Sequence, residues 1–251
     1  MDNLLETTIN VQVDKRETKI HSFVLSNSDA VAFRFEMWEL YRKYYNTERR
    51  SFFDRFQQND CYAIYWSGKT MIGFTAIRMR PMKVGKRTYL SFYLGQSVIT
   101  KAYRGQSLIS QTCARLFLKH YLRHPFVPIY VWCDALTYKP YLLFANAFQN
   151  YYPSPKMKMP KAVEQLLQKI GNDYYPESFD EANGTVRKEI IVVDDPTALV
   201  TEADLQHPAI RFFIDKNPRH DSGHGLLTIA PVSFKNMFSL LKHLWLKKLR
   251  K

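Results

Sequence analysis

The sequence predicts an α+β fold of mixed order, in which a central, mostly antiparallel sheet is flanked by helices and followed by a C-terminal elaboration. Three observations predict it. Residues 61–66, 71–82 and 88–99 are rich in β-branched and aromatic residues, and the dipeptides Ser67-Gly68 and Gly85-Lys86 separate them as turns separate the strands of a meander. Apolar residues at helical spacing occupy the stretches on either side of these runs. The chain of 251 residues, 46% hydrophobic and 24% charged, holds enough apolar surface to offset its ordering entropy without disulfides or a structural metal.

Residues 9–13 and 19–25 read as short strands. Ser28-Asp29 offers an N-cap for a helix over 30–45, with Phe33, Met37, Leu40, Tyr41 and Tyr44 at helical spacing. Thr47-Glu48 starts a second helix through 56–58, which stops before the meander. Gly95 interrupts the third meander strand, where a bulge costs little because glycine has no side chain to clash. Over 106–121, Leu108, Ile109, Cys113, Leu116, Phe117 and Leu118 follow a helix that Pro125 and Pro128 close. A short buried strand over 129–133 and a helix over 138–148 come next. Pro153, Pro155 and Pro160 then mark a surface crossing over 152–160. A helix over 161–170, an irregular stretch over 172–183, a strand over 185–193, a short helix over 208–215, a strand over 225–230 and a terminal helix capped by Ser233 complete the chain. None of the connections has the composition of a flexible linker, so residues 1–251 read as a single elaborated domain.

Lysine and arginine number 36 against 23 acids, a net charge of +13 that suits phosphate-bearing ligands, nucleic acid, anionic lipid or an acidic protein without choosing among them. The basic residues are spread along the chain with no zinc-finger or RRM signature, which disfavours nucleic acid as a partner. Cys61, Cys113 and Cys133 are odd in number and lack CxxC spacing, so they read as structural free thiols of a reducing compartment. The first six residues lack the basic and apolar regions of a secretory signal, and no stretch reaches the ~18 uninterrupted apolar residues of a spanning helix. A cytoplasmic protein is expected, with peripheral membrane attachment left open.

The informative stretch is 97–109, where a strand runs into a helix through a basic loop containing Lys101, Arg104 and Gly105. Amides of such a loop and of the first helical turn have no intrahelical partners, and the helix dipole adds positive potential, so the junction can bind phosphate. It can equally be an ordinary turn with a solvated arginine. The spacing of Val98 ahead of Tyr103-Arg104-Gly105, after a meander and before an amphipathic helix, resembles the acyl-CoA pyrophosphate loop of the GNAT family of N-acetyltransferases. The resemblance covers about residues 9–150, with the strands over 185–193 and 225–230 as its sixth and seventh, and 151–251 as insertion and acceptor-side elements. The family loop reads Arg/Gln-x-x-Gly-x-Gly/Ala. Here Arg104 matches, whereas Ser107 and Ile109 stand at the two small-residue positions. Glycine there lets the backbone approach a pyrophosphate.

The resemblance implies an N-acyltransferase whose co-substrate is acyl-CoA or an acyl carrier protein thioester, with no metal. It implies that Val98, Ile99, Arg104, Gly105, Gln106, Ser107 and Leu108 hold the donor, whose pantetheine pairs with backbone near Val98 in the splay between the strands over 88–99 and 129–133. The acceptor is an amine of a small molecule, peptide or protein. Family members often use a carboxylate on the fourth strand as base, but 88–99 contains no Asp or Glu, which leaves a water relay or a residue such as Asp134. The family acid is commonly a tyrosine in the helix after the fifth strand, and Tyr141 is nearer that position than Tyr138. By its spacing alone Tyr141 can equally be core.

Two further features carry other readings. His207, His220, Asp221 and His224 look like metal ligands, yet the intervening Ser222-Gly223 breaks the helix that would bring two of these histidines onto one ion, so a polar loop is expected. The tail from Ser233 is a basic amphipathic helix in which Phe234, Met237, Phe238, Leu241, Leu244, Trp245 and Leu249 fall near one stripe. Such a helix can lie on an anionic membrane surface, receive an acidic carrier protein, or simply dock with its lysines in water. Two other function classes stay open: a catalytically degenerate fold of the same kind on a membrane surface, and a basic nucleic-acid-binding module.

Overall fold

The computed structural model describes residues 5–13, 16–188, 190–193 and 199–249. The start of the chain read for a signal, Glu189 within the strand expected over 185–193, and the last two residues of the tail lie outside them. Two compact units emerge: one holds the described residues up to Arg80, Phe92–Phe126 and those from Leu240 on, the other Pro81–Ser91 and Val127–Ser239. Residue 150, where the sequence divides core from elaboration, lies inside the second unit.

In the first unit the elements in chain order are β1 (Leu5–Val13), β2 (Arg16–Ser26), α1 (Asn27–Ala30), α2 (Arg34–Tyr41), β3 (Tyr45–Asn46), α3 (Arg49–Gln57), β4 (Cys61–Ser67), β5 (Thr70–Val84), β6 (Arg87–Ile99) and α4 (Leu108–Arg123); β5 and β6 extend into the second unit. The sheet order is β1-β2-β4-β5-β6, with β1, β2, β4 and β5 antiparallel in turn through pairs such as Ile9↔Ile20, Val24↔Ala63 and Ile64↔Phe74. Residues 61–65 of β4 are all buried, because helices cover both faces of the sheet. Tyr62 and Ile64 point with Phe74 into a cluster with Met37, Tyr41, Phe52 and Phe56, where the Phe56 and Tyr62 rings stack at 4.5 Å. Tyr65 points the other way and donates its hydroxyl to Thr112 Oγ1 of α4 at 3.0 Å. Each fully buried aromatic of this kind contributes roughly 1.5–3 kcal/mol relative to exposure.

The meander matches the sequence reading, but the helix expected over 30–45 does not. Ser26, two residues before the expected cap, closes the first turn by accepting from the Asp29 amide at 3.2 Å. A 3₁₀ turn over Val31–Phe33 then separates α1 from α2, and Tyr44 and Tyr45 fall outside the helix. Tyr45 instead stacks on Tyr41 at 4.3 Å and donates to the Ser97 carbonyl at 3.1 Å, contacts that hydrophobic periodicity does not encode.

The second unit contains β7 (Ile129–Ala135), α5 (Tyr138–Ala147), α6 (Lys161–Tyr174), β8 (Phe179–Asp180), β9 (Thr185–Arg187), β10 (Ile191–Val192), α7 (Pro208–Lys216), β11 (His224–Pro231) and the start of α8 (Phe234–Leu249), which enters the first unit at Leu240. Its strands run in the order β7-β11-β9-β8, all antiparallel, through Trp132↔Ile229, Val186↔Gly225 and Phe179↔Val186. Trp132, 1% exposed, donates its indole N–H to Ser91 Oγ at 2.7 Å. The strand expected over 185–193 is split into β9 and β10. Lys188 leaves the ladder, its amide donating to the Gly223 carbonyl at 2.9 Å and its ammonium to Asp134. The crossing expected at the surface starts buried: Tyr152 is 7% exposed and exchanges two 2.8 Å backbone hydrogen bonds with Ile229, beyond the point where β9 stops pairing with β11.

Candidate functional site

The β6–α4 junction is held by contacts from four directions. A 3₁₀ turn over Lys101–Tyr103 follows Thr100, whose amide donates to the Ile72 carbonyl at 2.9 Å. Tyr103 donates to Ser67 Oγ at 3.0 Å, Arg104 Nε donates back to the Ile99 carbonyl at 2.9 Å, and the Arg104 guanidinium lies over the Tyr44 ring at 5.0 Å. Gly105 has φ +78° with open space where a Cβ would stand, so glycine serves backbone conformation here and not close packing. Ser107 follows at φ +57° as the residue before α4, and makes no side-chain cap. Its carbonyl accepts from the Gln111 amide at 2.9 Å, and Gln111 Nε2 donates to the Gln106 carbonyl at 3.1 Å.

Ser107 adopts a left-handed backbone, a region that glycine enters without the steric cost an L-residue bears. An L-residue in this region carries a cost of about 1–2 kcal/mol that glycine avoids. Ser107→Gly is therefore expected to raise stability by about 0.5–1 kcal/mol in thermal unfolding, the lower end reflecting the freedom glycine adds to the unfolded chain. A loss of stability would show instead that the hydroxyl makes a contact of its own. Leu108, 3% exposed, anchors the first turn of α4, whose leading amides are the unpaired donors of any 16-residue helix.

Upstream, β6 is distorted, though not where the sequence points. Positive φ falls on Gln96, at +40°, while a Cβ on Gly95 would meet the outer end of the Tyr93 ring, which would have to shift. The strained Gln96 is 8% exposed and hydrogen-bonded at both ends of its amide: its Oε1 accepts from Asn59 Nδ2 at 2.9 Å and from the Tyr62 hydroxyl at 3.3 Å, and its Nε2 donates to the Phe52 carbonyl at 3.2 Å. These bonds offset a backbone cost of order 1–3 kcal/mol. Gly73 is a second residue that the sequence reading passed over. A Cβ there would stand 2.6 Å from the Val98 carbonyl oxygen, so β5 approaches Val98 and Ile99 at a distance only glycine permits. Glycine inside an apolar strand run is the available signal.

A cavity of about 470 Å³ adjoins the junction within the first unit. Gln106, Ser107 and Arg115 line one side, β1 another, and Trp245, Lys247 and Lys248 of α8 a third. The sequence marks the tail as basic and amphipathic but carries no signal that it returns to this loop.

The residues expected to move protons lie in the second unit and are engaged in its packing. Tyr141 is 0% exposed and donates to the Pro153 carbonyl at 3.0 Å, with the Tyr151, Phe212 and Phe213 rings around it. Burial, reinforced by Tyr151, pushes its phenol well above the usual tyrosine range. Tyr141→Phe is expected to cost about 0.5–1.5 kcal/mol in a urea titration, because it removes the hydrogen bond to the partly buried Pro153 carbonyl. Unchanged turnover in that variant would remove Tyr141 as an acid. Asp134, 8% exposed, takes the Lys188 ammonium at 2.6 Å and the Tyr175 hydroxyl.

The histidines take backbone roles. His207 Nδ1 accepts from the Ala209 amide at 3.2 Å to cap α7, and His220 Nδ1 lies 3.1 Å from the Asn217 carbonyl. Among the described residues no three His, Cys, Asp or Glu side chains gather to hold a metal ion. Cys61, Cys113 and Cys133 are free and buried, and burial pushes the first two thiols up to about 12, so they stay protonated near neutrality. Among the described residues no helix is long and apolar enough to cross a membrane.

No family model and no curated protein matches the sequence. Among solved structures the chain is similar to an Enterococcus faecalis protein of unknown function described as a probable N-acyltransferase, with 14% identity, 51% of this chain and 33% of that one covered, and a TM-score of 0.38. It therefore spans about a third of that protein's length. An aminoglycoside acetyltransferase from an uncultured soil metagenomic sample is similar at 13% identity, covering 56% and 97%, with a TM-score of 0.38. Escherichia coli ElaA is similar at 14% identity, covering 57% and 93%, with a TM-score of 0.34.

Proposed function

We propose that the protein is an N-acyltransferase that moves an acyl group from a phosphopantetheine thioester to an amine. The observation that carries this reading is the β6–α4 junction: a pinned, positively charged loop with left-handed Gly105 and Ser107 that presents the uncapped first turn of a long helix. Such a turn suits the phosphates of a CoA or carrier-linked donor. In this reading Arg104 holds the loop in shape and adds charge beside the phosphates. Gln106, Ser107 and Leu108 supply backbone there, and the pantetheine arm runs along β6 near Val98 and Ile99.

The chemistry needs a neutral amine to attack the thioester carbonyl, forming the C–N bond. The tetrahedral intermediate then collapses with loss of the C–S bond, the thiolate takes a proton, and the amine nitrogen loses one. No carboxylate lies on β6 to take that proton, and Asp134 is tied to Lys188, which in this reading leaves the proton to a water relay. To act as an acid, Tyr141 would first have to release the Pro153 carbonyl. The acceptor is an amine of a small molecule, peptide or protein, and the donor is acyl-CoA or an acyl carrier thioester.

A second reading, a thioester-binding protein without turnover, is favoured by the burial of Tyr141 and the ion pair of Asp134. One experiment separates the two. The purified protein is offered acetyl-CoA, a long-chain acyl-CoA and an acyl carrier thioester, with binding read by thermal shift and thiol release followed with a panel of amines. Stabilisation with thiol release supports transfer, stabilisation without release with any amine supports the second reading, and no stabilisation by any thioester overturns both.

A further inference from the structure

The C-terminal helix is attached by one face and leaves a continuous apolar stripe on the opposite one. Attachment is specific at its start. Asn236, 0% exposed, accepts from the Asn150 amide at 2.9 Å and donates to the Asn150 and Pro231 carbonyls at 2.7 and 2.8 Å, while Ser233 Oγ caps the Asn236 amide at 3.3 Å. Leu240, 1% exposed, lies one turn further on the same side. These contacts fix the rotation of α8 about its axis.

With that rotation, the far side carries Phe234, Phe238, Leu241, Trp245 and Leu249, which are 80, 59, 54, 61 and 63% exposed, Leu241 and Trp245 also bordering the mouth of the cavity beside β1 and α4. At 100° per residue they fall within a band about 80° wide, on an element about 22 Å long. Exposed Lys235 and Lys242 border the band on one edge and exposed Lys248 on the other, and α8 contains no acid. The end of α4 and the turn after it repeat this chemistry in the first unit, with Leu122 and Phe126 at 71 and 96% exposed beside exposed Arg123.

We infer that α8 is an in-plane membrane anchor that lays this stripe into an anionic lipid surface. Bulky aliphatic and aromatic groups enter the acyl boundary while the flanking lysines extend to the headgroup phosphates, the distribution that interfacial helices require. Charge decides against a second copy of the chain, because stripe facing stripe would bring lysine against lysine with no acid on the helix to answer it. The helix rests on the surface: no helix among the described residues is long and apolar enough to cross a bilayer. This inference stands apart from acyl transfer, and neither depends on the other.

The test uses the full chain and sedimentation with vesicles of phosphatidylcholine, alone or with about one third phosphatidylglycerol. The expected result is binding to the mixed vesicles, weaker binding without the anionic lipid, and weakening by salt. Phe238→Ser with Trp245→Ser is expected to lower the partition at least tenfold with an unchanged circular dichroism spectrum, since both side chains are exposed. A blue shift of tryptophan emission should accompany binding and shrink in Trp245→Phe, which binds like the parent. Failure of the parent to sediment with mixed vesicles overturns the inference, as does a double variant that binds as tightly as the parent. Dimerisation through the stripe, or capture of an acidic carrier protein, without vesicle binding overturns it as well.

Discussion

Asp134→Ala is expected to destabilise the second unit by about 3–5 kcal/mol, the typical result of removing one member of a buried ion pair. Asp134 and Lys188 have side chains only 6 and 11% exposed and approach to 2.6 Å, and the Tyr175 hydroxyl donates to the same carboxylate oxygen. Without the carboxylate, Lys188 keeps a charge with little access to water. The loss therefore measures an orphaned ammonium more than the attraction itself. The double variant Asp134→Leu, Lys188→Met removes both charges and should recover most of the stability, because well-packed apolar replacements of buried pairs are often neutral. Urea titration of the three proteins checks this, and a single variant within about 1 kcal/mol of the parent would show that water reaches Lys188. The pair also anchors the point where β9 ends and Lys188 turns out of the ladder, so its removal acts on the sheet and not on one contact alone.

Arg104→Glu is expected to weaken binding of CoA by about tenfold to a hundredfold, the range of a charge-assisted contact of about 1.5–3 kcal/mol. Two effects act together. The substitution removes the hydrogen bond to the Ile99 carbonyl and the contact over the Tyr44 ring that hold the loop, and it places a negative charge where the donor phosphates would lie. Arg104→Lys keeps the charge but lacks the guanidinium geometry, and should fall between the two. Isothermal titration with CoA provides the measurement, with thermal unfolding as the check on folding. Affinity equal to the parent's in a folded Arg104→Glu protein would remove the loop from donor binding.

How much of this was legible in the sequence varies by element. The meander could be read because β4, β5 and β6 are apolar runs separated by two-residue turns, a local signal. The helix before it was misplaced because Ser26 and Ser28 offer the same capping chemistry, and only the pairing of β2 with β4, which ends at Ser26↔Cys61, determines which serine closes the helix. The distortion of β6 was placed at Gly95 on intrinsic freedom. It falls on Gln96 because Asn59, Tyr62 and Phe52, distant in sequence, gather around one amide.

The sequence by itself determined the residue types of the loop from Lys101 to Leu108, the apolar runs and intervening turns that build the meander, and the apolar stripe with lysines in the tail. All three are relations between residues a few positions apart, which backbone geometry turns directly into faces and turns. Only the tertiary structure decided which side of α8 is attached, that Tyr141 and Asp134 are engaged in packing contacts, and that Ser107 joins Gly105 in a left-handed backbone. A buried polar group takes its role from the partner that replaces water, and for Tyr141, Asp134 and Asn236 those partners come from elements that meet only when the chain folds.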